Sequence, residues 1–203
     1  RLSSGKDRVN ETLFLPKGIA DELESMFLLA AEEKGIDLHA DFEGENVLVS
    51  GDKERILQIG QNLMSNDVKF TEEGGVSLLV RYTEGTLLLE VSDTGTGISK
   101  EEQNAIYEPF SRMANADIKD GFGLGLAIVK NIVTMLSGKI HLNSEKGKGS
   151  RFTVEIPMQK AEELPEQTIH DYIHPKERNI NVIAIDNDEV LLLMLKEMYA
   201  QEG

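Results

Sequence analysis

Apolar residues along this chain switch between two spacings, and the switches mark the elements. Ile19, Leu23, Met26, Phe27 and Ala30 recur at helical spacing after Pro16, and Gly35 stands where a helix stops, so a helix is expected over 18–34. Leu38, Ala40 and Phe42 alternate with polar residues, and a second β-like run, 47–49, follows the Gly44-Glu45 turn signal; the two runs predict an edge hairpin. Asp52 is placed to cap a helix that reaches about Phe70 and stops before Glu72-Glu73-Gly74-Gly75. Residues 76–82 and 86–92, rich in leucine and β-branched side chains and split by Glu84-Gly85, predict a hairpin whose second strand delivers Asp93.

Beyond Asp93 the pattern continues. Ser99-Lys100-Glu101-Glu102 has capping-box spacing for a short helix to about Tyr107. Residues 111–120 have no period, and their length suggests a functional loop. An apolar helix is expected from about Phe122 through Ile128, Val129, Ile132, Val133 and Leu136, with Gly138 just past its end. Ile140 and Leu142, then Phe152, Val154 and Ile156, alternate as two strands joined at Gly147-Lys148-Gly149, and Pro157 closes the unit. Residues 159–178, polar and carrying Pro165 and Pro175, read as a linker. Residues 179–188 form a buried-type strand ending in acids, followed by a helix over about 189–200, too short a piece to bury a core of its own.

Composition narrows the class. Hydrophobic residues make up 40% of the 203, enough for a core, yet no apolar run approaches the roughly 18 residues of a membrane span and no signal-peptide pattern opens the chain. There is no cysteine, which excludes disulfides, thiolate nucleophiles and cysteine-ligated zinc. With 36 acidic against 21 basic side chains the formal charge is −15, a balance that opposes a nucleic-acid backbone. Any anionic ligand must be held by a few local cations and by backbone N–H groups.

Three segments carry candidate chemistry. On the helix after Asp52, the side chains of Gln58, Asn62, Ser65, Asn66 and Lys69 form one polar stripe among apolar neighbours. Such a stripe faces either solvent or a ligand, and amides with a lysine suit phosphates and an oxygen-coordinated Mg²⁺. Asp93-Thr94-Gly95-Thr96-Gly97 places a carboxylate at a strand end, where it can accept from the exocyclic amine of adenine while Gly95 and Gly97 let the backbone approach the ring; an ordinary Asp-Gly turn has the same letters. Gly121, Gly123 and Gly125 alternate at a helix start, where free N–H groups attract phosphate, though a flexible lead into the helix is equally described. The third glycine is one position too early for a dinucleotide fingerprint, and Lys148 is followed by Gly149, so there is no Walker loop.

In order and spacing these segments resemble the N, G1 and G2 boxes of the histidine kinase catalytic domain, a member of the GHKL ATPase superfamily that includes gyrase and MutL. Tyr107-Glu108-Pro109-Phe110-Ser111-Arg112 is similar to the F box of that family, and Gly147-Lys148-Gly149-Ser150-Arg151-Phe152 to its closing strand and turn. The resemblance spans about residues 10–158 and implies a two-layer α/β sandwich of the Bergerat type, with a mixed sheet covered on one face by three helices. It implies that Asn66 ligates Mg²⁺, that Asn62 and Lys69 contact the ATP phosphates, that Phe70 packs on the nucleoside and that Asp93 reads adenine. Gly95, Gly97, Gly121, Gly123 and Gly125 would line the nucleotide, and Arg112, at the head of a lid over 111–121, would neutralise the γ-phosphate. Asn62, Lys69 and Arg112 are therefore the candidate catalytic residues of an ATP:protein-histidine phosphotransferase.

Residues 1–9 resemble the tail of the hairpin that bears the acceptor histidine, and 179–203 the start of a receiver domain, with Asp186 and Asp188 in its acidic pocket. The implied parent is a hybrid sensor kinase, membrane-anchored with this part cytoplasmic and dimeric through the hairpin, while the chain by itself is expected to be monomeric. His170-Asp171-Tyr172-Ile173-His174-Pro175 matches an acceptor pattern as letters but follows the catalytic unit, and reads as linker. Asp67, Thr96 and Phe122 depart from the usual family residues; Asp67 lies about 100° round the helix from Asn66 and is expected to miss the metal. Two other functions fit the same letters: a nucleotide-binding signalling module without catalysis, and an ATPase of gyrase or MutL type. The latter uses a glutamate base where this chain has Asn62.

Overall fold

A computed structural model describes residues 9–103, 105–108 and 124–161. Contacts divide the chain into two units, Arg1–Ala161 and Glu162–Gly203, and every element described here belongs to the first. In chain order these are β1 (Thr12–Phe14), α1 (Pro16–Lys34), β2 (Asp37–Gly44), β3 (Val49–Gly51), α2 (Lys53–Phe70), β4 (Gly75–Thr83), β5 (Thr86–Asp93), α3 (Lys100–Gln103), α4 (Gly125–Met135), β6 (Lys139–Ser144), β7 (Ser150–Pro157) and β8 (Gln159–Lys160).

The main sheet has the order β2-β4-β5-β7-β6 and is mixed, because β2 runs parallel to β4 while the other neighbours are antiparallel. Strand alternation buries one face: Val76, Leu78, Val80 and Tyr82 of β4, Leu87, Leu89 and Val91 of β5, and Phe152, Val154 and Ile156 of β7. Helix α1 packs on β2 and β4, α2 on β4 and β5, and α4 on β6, with α2 between the other two helices. This is the expected two-layer sandwich with three helices on one face. At the crossing of α1 and α2, a Cβ on Gly60 would collide with the Leu23 side chain, so the missing side chain is what lets the helices close.

The helix ends follow local chemistry. Asp52 caps α2 by accepting from the Arg55 N–H at 3.0 Å, and its other oxygen accepts from the Asn10 N–H at 2.8 Å, tying the incoming chain to the helix start. Gly35 closes α1 in the left-handed region at φ 74°. Ser99 and Glu102 exchange both bonds of the capping box, but α3 ends at Gln103 and continues only as turns through 105–108, short of the expected Tyr107.

Three expectations are corrected. Residues 37–44 and 49–51 do not form a hairpin: β2 joins the main sheet beside β4, whereas β3 sits between β1 and β8 in a separate three-stranded sheet. Alternation specifies which side of a strand is buried, not which strand it pairs with, and the chain turns away at Gly44, where a side chain would strike the Tyr82 carbonyl. The left-handed residue after α4 is Ser137 at φ 57°, not Gly138; the Gly138 and Ser137 N–H groups bond back to Val133 and Thr134 at 2.8 and 3.1 Å. Gly138 is needed instead because a Cβ there would press on the Glu155 carbonyl, which lies 2.5 Å from its ideal position. Finally, the unit does not close at Pro157. Met158 is 5% exposed, its carbonyl accepts from the Tyr82 hydroxyl at 3.2 Å, and Gln159–Lys160 pair with β3, so the folded unit takes in residues expected to be linker and runs to Ala161.

Candidate functional site

Asp93 continues the buried parity of Leu87, Leu89 and Val91, so the last residue of β5 projects on the face covered by α2. Its Oδ1 accepts from the Gly95 N–H at 2.6 Å and its Oδ2 from the Ser150 N–H at 3.0 Å. Each carboxylate oxygen has two lone pairs, so each keeps one for a ligand donor. The turn that follows is held on three sides: Thr96 N–H donates to the Phe70 carbonyl at 3.4 Å, Gly147 N–H to the Thr96 carbonyl at 2.7 Å, and Gly75 N–H to Thr94 Oγ1 at 3.0 Å. Gly149, at φ 86°, lies against the Asp93 carbonyl where no Cβ fits.

Ser144 and Ser150 were not singled out from sequence, yet they brace this carboxylate. Ser144 Oγ accepts from the Ile98 N–H at 2.8 Å, donates to the Gly149 carbonyl at 2.9 Å, and lies 3.1 Å from Ser150 Oγ. The available signal was a polar residue, Ser150, at a buried-parity position of an alternating strand.

The polar stripe of α2 faces the start of α4. Asn62 donates through Nδ2 to the Gln58 carbonyl at 2.7 Å, and its Oδ1 lies 3.1 Å from where a Cβ on Gly125 would stand, with Asn66 Nδ2 at 3.9 Å. The first-turn N–H groups of α4, which has no side-chain cap, therefore open beside two amides. One turn on, Lys69 Nζ sits 4.6 Å from the Phe70 ring centroid. Lys34, also unnoticed in the sequence, donates to the carbonyls of Val68 and Lys69 at 2.6 Å each, placing a cation at the negative end of α2 and fixing the turn that carries Lys69 and Phe70. Thus Asn62, Asn66, Lys69, Phe70, Asp93, Gly95, Gly97 and Gly125 gather around the α2 to α4 seam and the Asp93 turn. Arg112, Gly121, Phe122 and Gly123 lie outside the described residues, as do the two linker histidines, Asp186 and Asp188.

Asp67 occupies the buried side of α2, at 3% exposure, away from the Asn62 and Asn66 stripe. Burial first, and then the charge of Asp93, push its carboxyl well above the usual carboxylate range. Its Oδ2 and the hydroxyl of Thr71, one turn further on, are buried with no hydrogen-bond partner among the described residues.

The unit is similar to known signalling proteins. It is 34% identical over 178 residues to the autoinducer 2 sensor kinase/phosphatase LuxQ of Vibrio cholerae serotype O1, covering 83% of this chain and 21% of that protein, so the chain spans about a fifth of this curated relative. Among solved structures, full-length ShkA in complex with AMPPNP superposes with a TM-score of 0.68 at 30% identity, over 77% of this chain and 33% of that one. The catalytic domain of histidine kinase ThkA gives 0.64 at 27%, over 73% of this chain and 95% of that one. Residues 51–160, more than half of the chain, match the family model described as histidine kinase-, DNA gyrase B-, and HSP90-like ATPase. The chain belongs to this ATPase family, as an ATP-binding catalytic domain of the histidine kinase kind.

Proposed function

We propose that the unit works as the catalytic domain of a sensor histidine kinase, presenting the γ-phosphate of ATP to a histidine on a helical hairpin of its parent protein. The observation that carries this reading is that one helix, α2, packs on β5, which ends in the braced carboxylate Asp93, and turns its amide stripe to the open start of α4. Asp93 accepts from the adenine amine, and the guanine carbonyl at the same place faces an acceptor and is rejected. Phe70 packs on the nucleoside, with Gly95 and Gly97 giving the backbone access to it. Asn62, Lys69, Gly125 and, by resemblance, Gly121, Gly123 and Arg112 hold the phosphates.

A divalent ion fits this donor set. Asn66 supplies a neutral amide oxygen beside the phosphate positions, and no group of three or more histidine, cysteine, aspartate or glutamate side chains suited to a metal occurs among the described residues, so an ion here would be shared with the nucleotide. Bound Mg²⁺ would supply charge neutralisation at the phosphate oxygens. The transfer breaks the bond between Pγ and the bridging oxygen, forms a bond from Pγ to an imidazole nitrogen, and releases ADP. The protein's contribution is position and electrostatics.

The receiver start in 179–203, the dimeric and membrane-anchored parent, the cytoplasmic setting of this part and the avoidance of nucleic acid belong to the same proposal; the formal charge of −15 supports the last. Two measurements test it. Asp93→Asn is expected to weaken ATP binding at least tenfold by calorimetry while circular dichroism stays native; unchanged affinity sinks the adenine assignment. Wild-type chain, labelled ATP and a separately expressed hairpin from the same parent are expected to yield phosphohistidine. ATP bound without transfer would instead favour a non-catalytic nucleotide-binding module, the reading on whose side the extra acid beside Asp93 counts.

A further inference from the structure

We propose that Asp67 reads the nucleobase together with Asp93, accepting the second hydrogen of the base's exocyclic amine. This rests on the reading of Asp93 given above and adds a residue that the resemblance leaves without a role.

The buried side of α2 is formed by Ile56, Ile59, Gly60, Leu63, Met64 and Val68, and Asp67 is the one ionisable group on it. A carboxyl in that setting is stable only if something satisfies it, yet Asp67 Oδ2 has no partner among the described residues. Thr71, fully buried one turn later, has an unpartnered hydroxyl as well. Two buried polar atoms without a partner, one helical turn apart, are free to take donors from a polar ligand. They adjoin the base-reading turn. Asp93 follows the β5 parity that α2 covers, and the Thr96 N–H bonds the Phe70 carbonyl at the end of the same helix; after burial, the charge of Asp93 is the second cause that raises the Asp67 carboxyl.

The donor count then matches. Asp93 has one backbone N–H on each oxygen, and an amine such as that of adenine brings two N–H groups. One N–H satisfies Asp93; the other needs an acceptor on the Asp67 side. A carboxyl keeps an accepting oxygen whether or not it carries a proton, so the contact does not depend on its charge. The ligand class is a 6-aminopurine nucleotide, selected by two carboxyls rather than one.

Calorimetry on the full 203-residue chain with ATP and with purine riboside triphosphate, which lacks only the amine, tests this. The wild type is expected to prefer ATP. Asp67→Ala and Asp67→Leu, neither with an acceptor, are expected to shrink that preference about three- to tenfold while leaving affinity for the amine-free analogue unchanged. Asp67→Asn, whose amide oxygen still accepts, is expected to keep it. A preference unchanged in the alanine and leucine variants, or equal weakening of both nucleotides, overturns the proposal and leaves Asp67 a packing residue. A wild type with no preference for ATP overturns the Asp93 reading itself, and this inference with it.

Discussion

Asp67 also has a measurable consequence for stability. Its carboxyl shares a helix side with Ile56, Ile59, Leu63 and Met64, all fully buried, each contributing about 1.5–3 kcal/mol, so the core accommodates one poorly satisfied acid. Because its folded pKa is raised, the folded chain binds a proton there that the unfolded chain has already lost. The stability it contributes is complete below the ordinary carboxylate value of about 3.9 and is lost as pH rises from there through the raised folded value. Asp67→Asn removes this titration, so thermal melts of variant and wild type are expected to diverge in the variant's favour as pH rises. A difference that is flat with pH would show that Asp67 is not the buried acid described. At this scale the departure at Asp67 was visible in the sequence, but its neighbour was not. Asp67 and Asp93 are brought together by a helix laid across a strand end, which no local pattern encodes.

At the scale of elements, periodicity located the helices well because capping chemistry is local: Asp52 and Gly35 stand where their side chain and left-handed backbone are needed. Strand partnership is set by long-range packing instead, which is why β2 and β3, alike in alternation and adjacent in the chain, belong to different sheets. The β6 to β7 turn shows how an element supports the site. Gly147 and Gly149 both have positive φ, 81° and 86°, but a Cβ at 147 meets nothing within 4 Å, whereas one at 149 strikes the Asp93 carbonyl. Gly147→Ala is therefore expected to lose only about 1–2 kcal/mol in urea unfolding, the cost of a left-handed alanine. Gly149→Ala is expected to lose more and to weaken ATP binding as well. Equal effects of the two substitutions on ATP affinity would remove the β6 to β7 turn from the support of Asp93.

For the whole molecule, the small sheet β1-β3-β8 joins the incoming strand, the strand before α2 and the outgoing strand. Since Met158 is buried against Gly51 and holds the Tyr82 hydroxyl, a chain ending at Pro157 is expected to melt several degrees below one ending at Ala161, by about the loss of one buried methionine and one hydrogen bond. Equal melting temperatures would show that β8 is dispensable. The sequence by itself determined the alternation of periods, the caps at Asp52 and Gly35, the absence of cysteine chemistry and the order of the three nucleotide segments, because each depends on neighbours within a helical turn or along one strand. Only the tertiary structure decided which strands pair, that Ser144, Ser150 and Lys34 brace the site, and that α2, with Asp67 on its buried side, packs on the strand that ends in Asp93. Those are contacts between residues far apart in the chain, and packing of the three helices on the sheet is what brings them within reach.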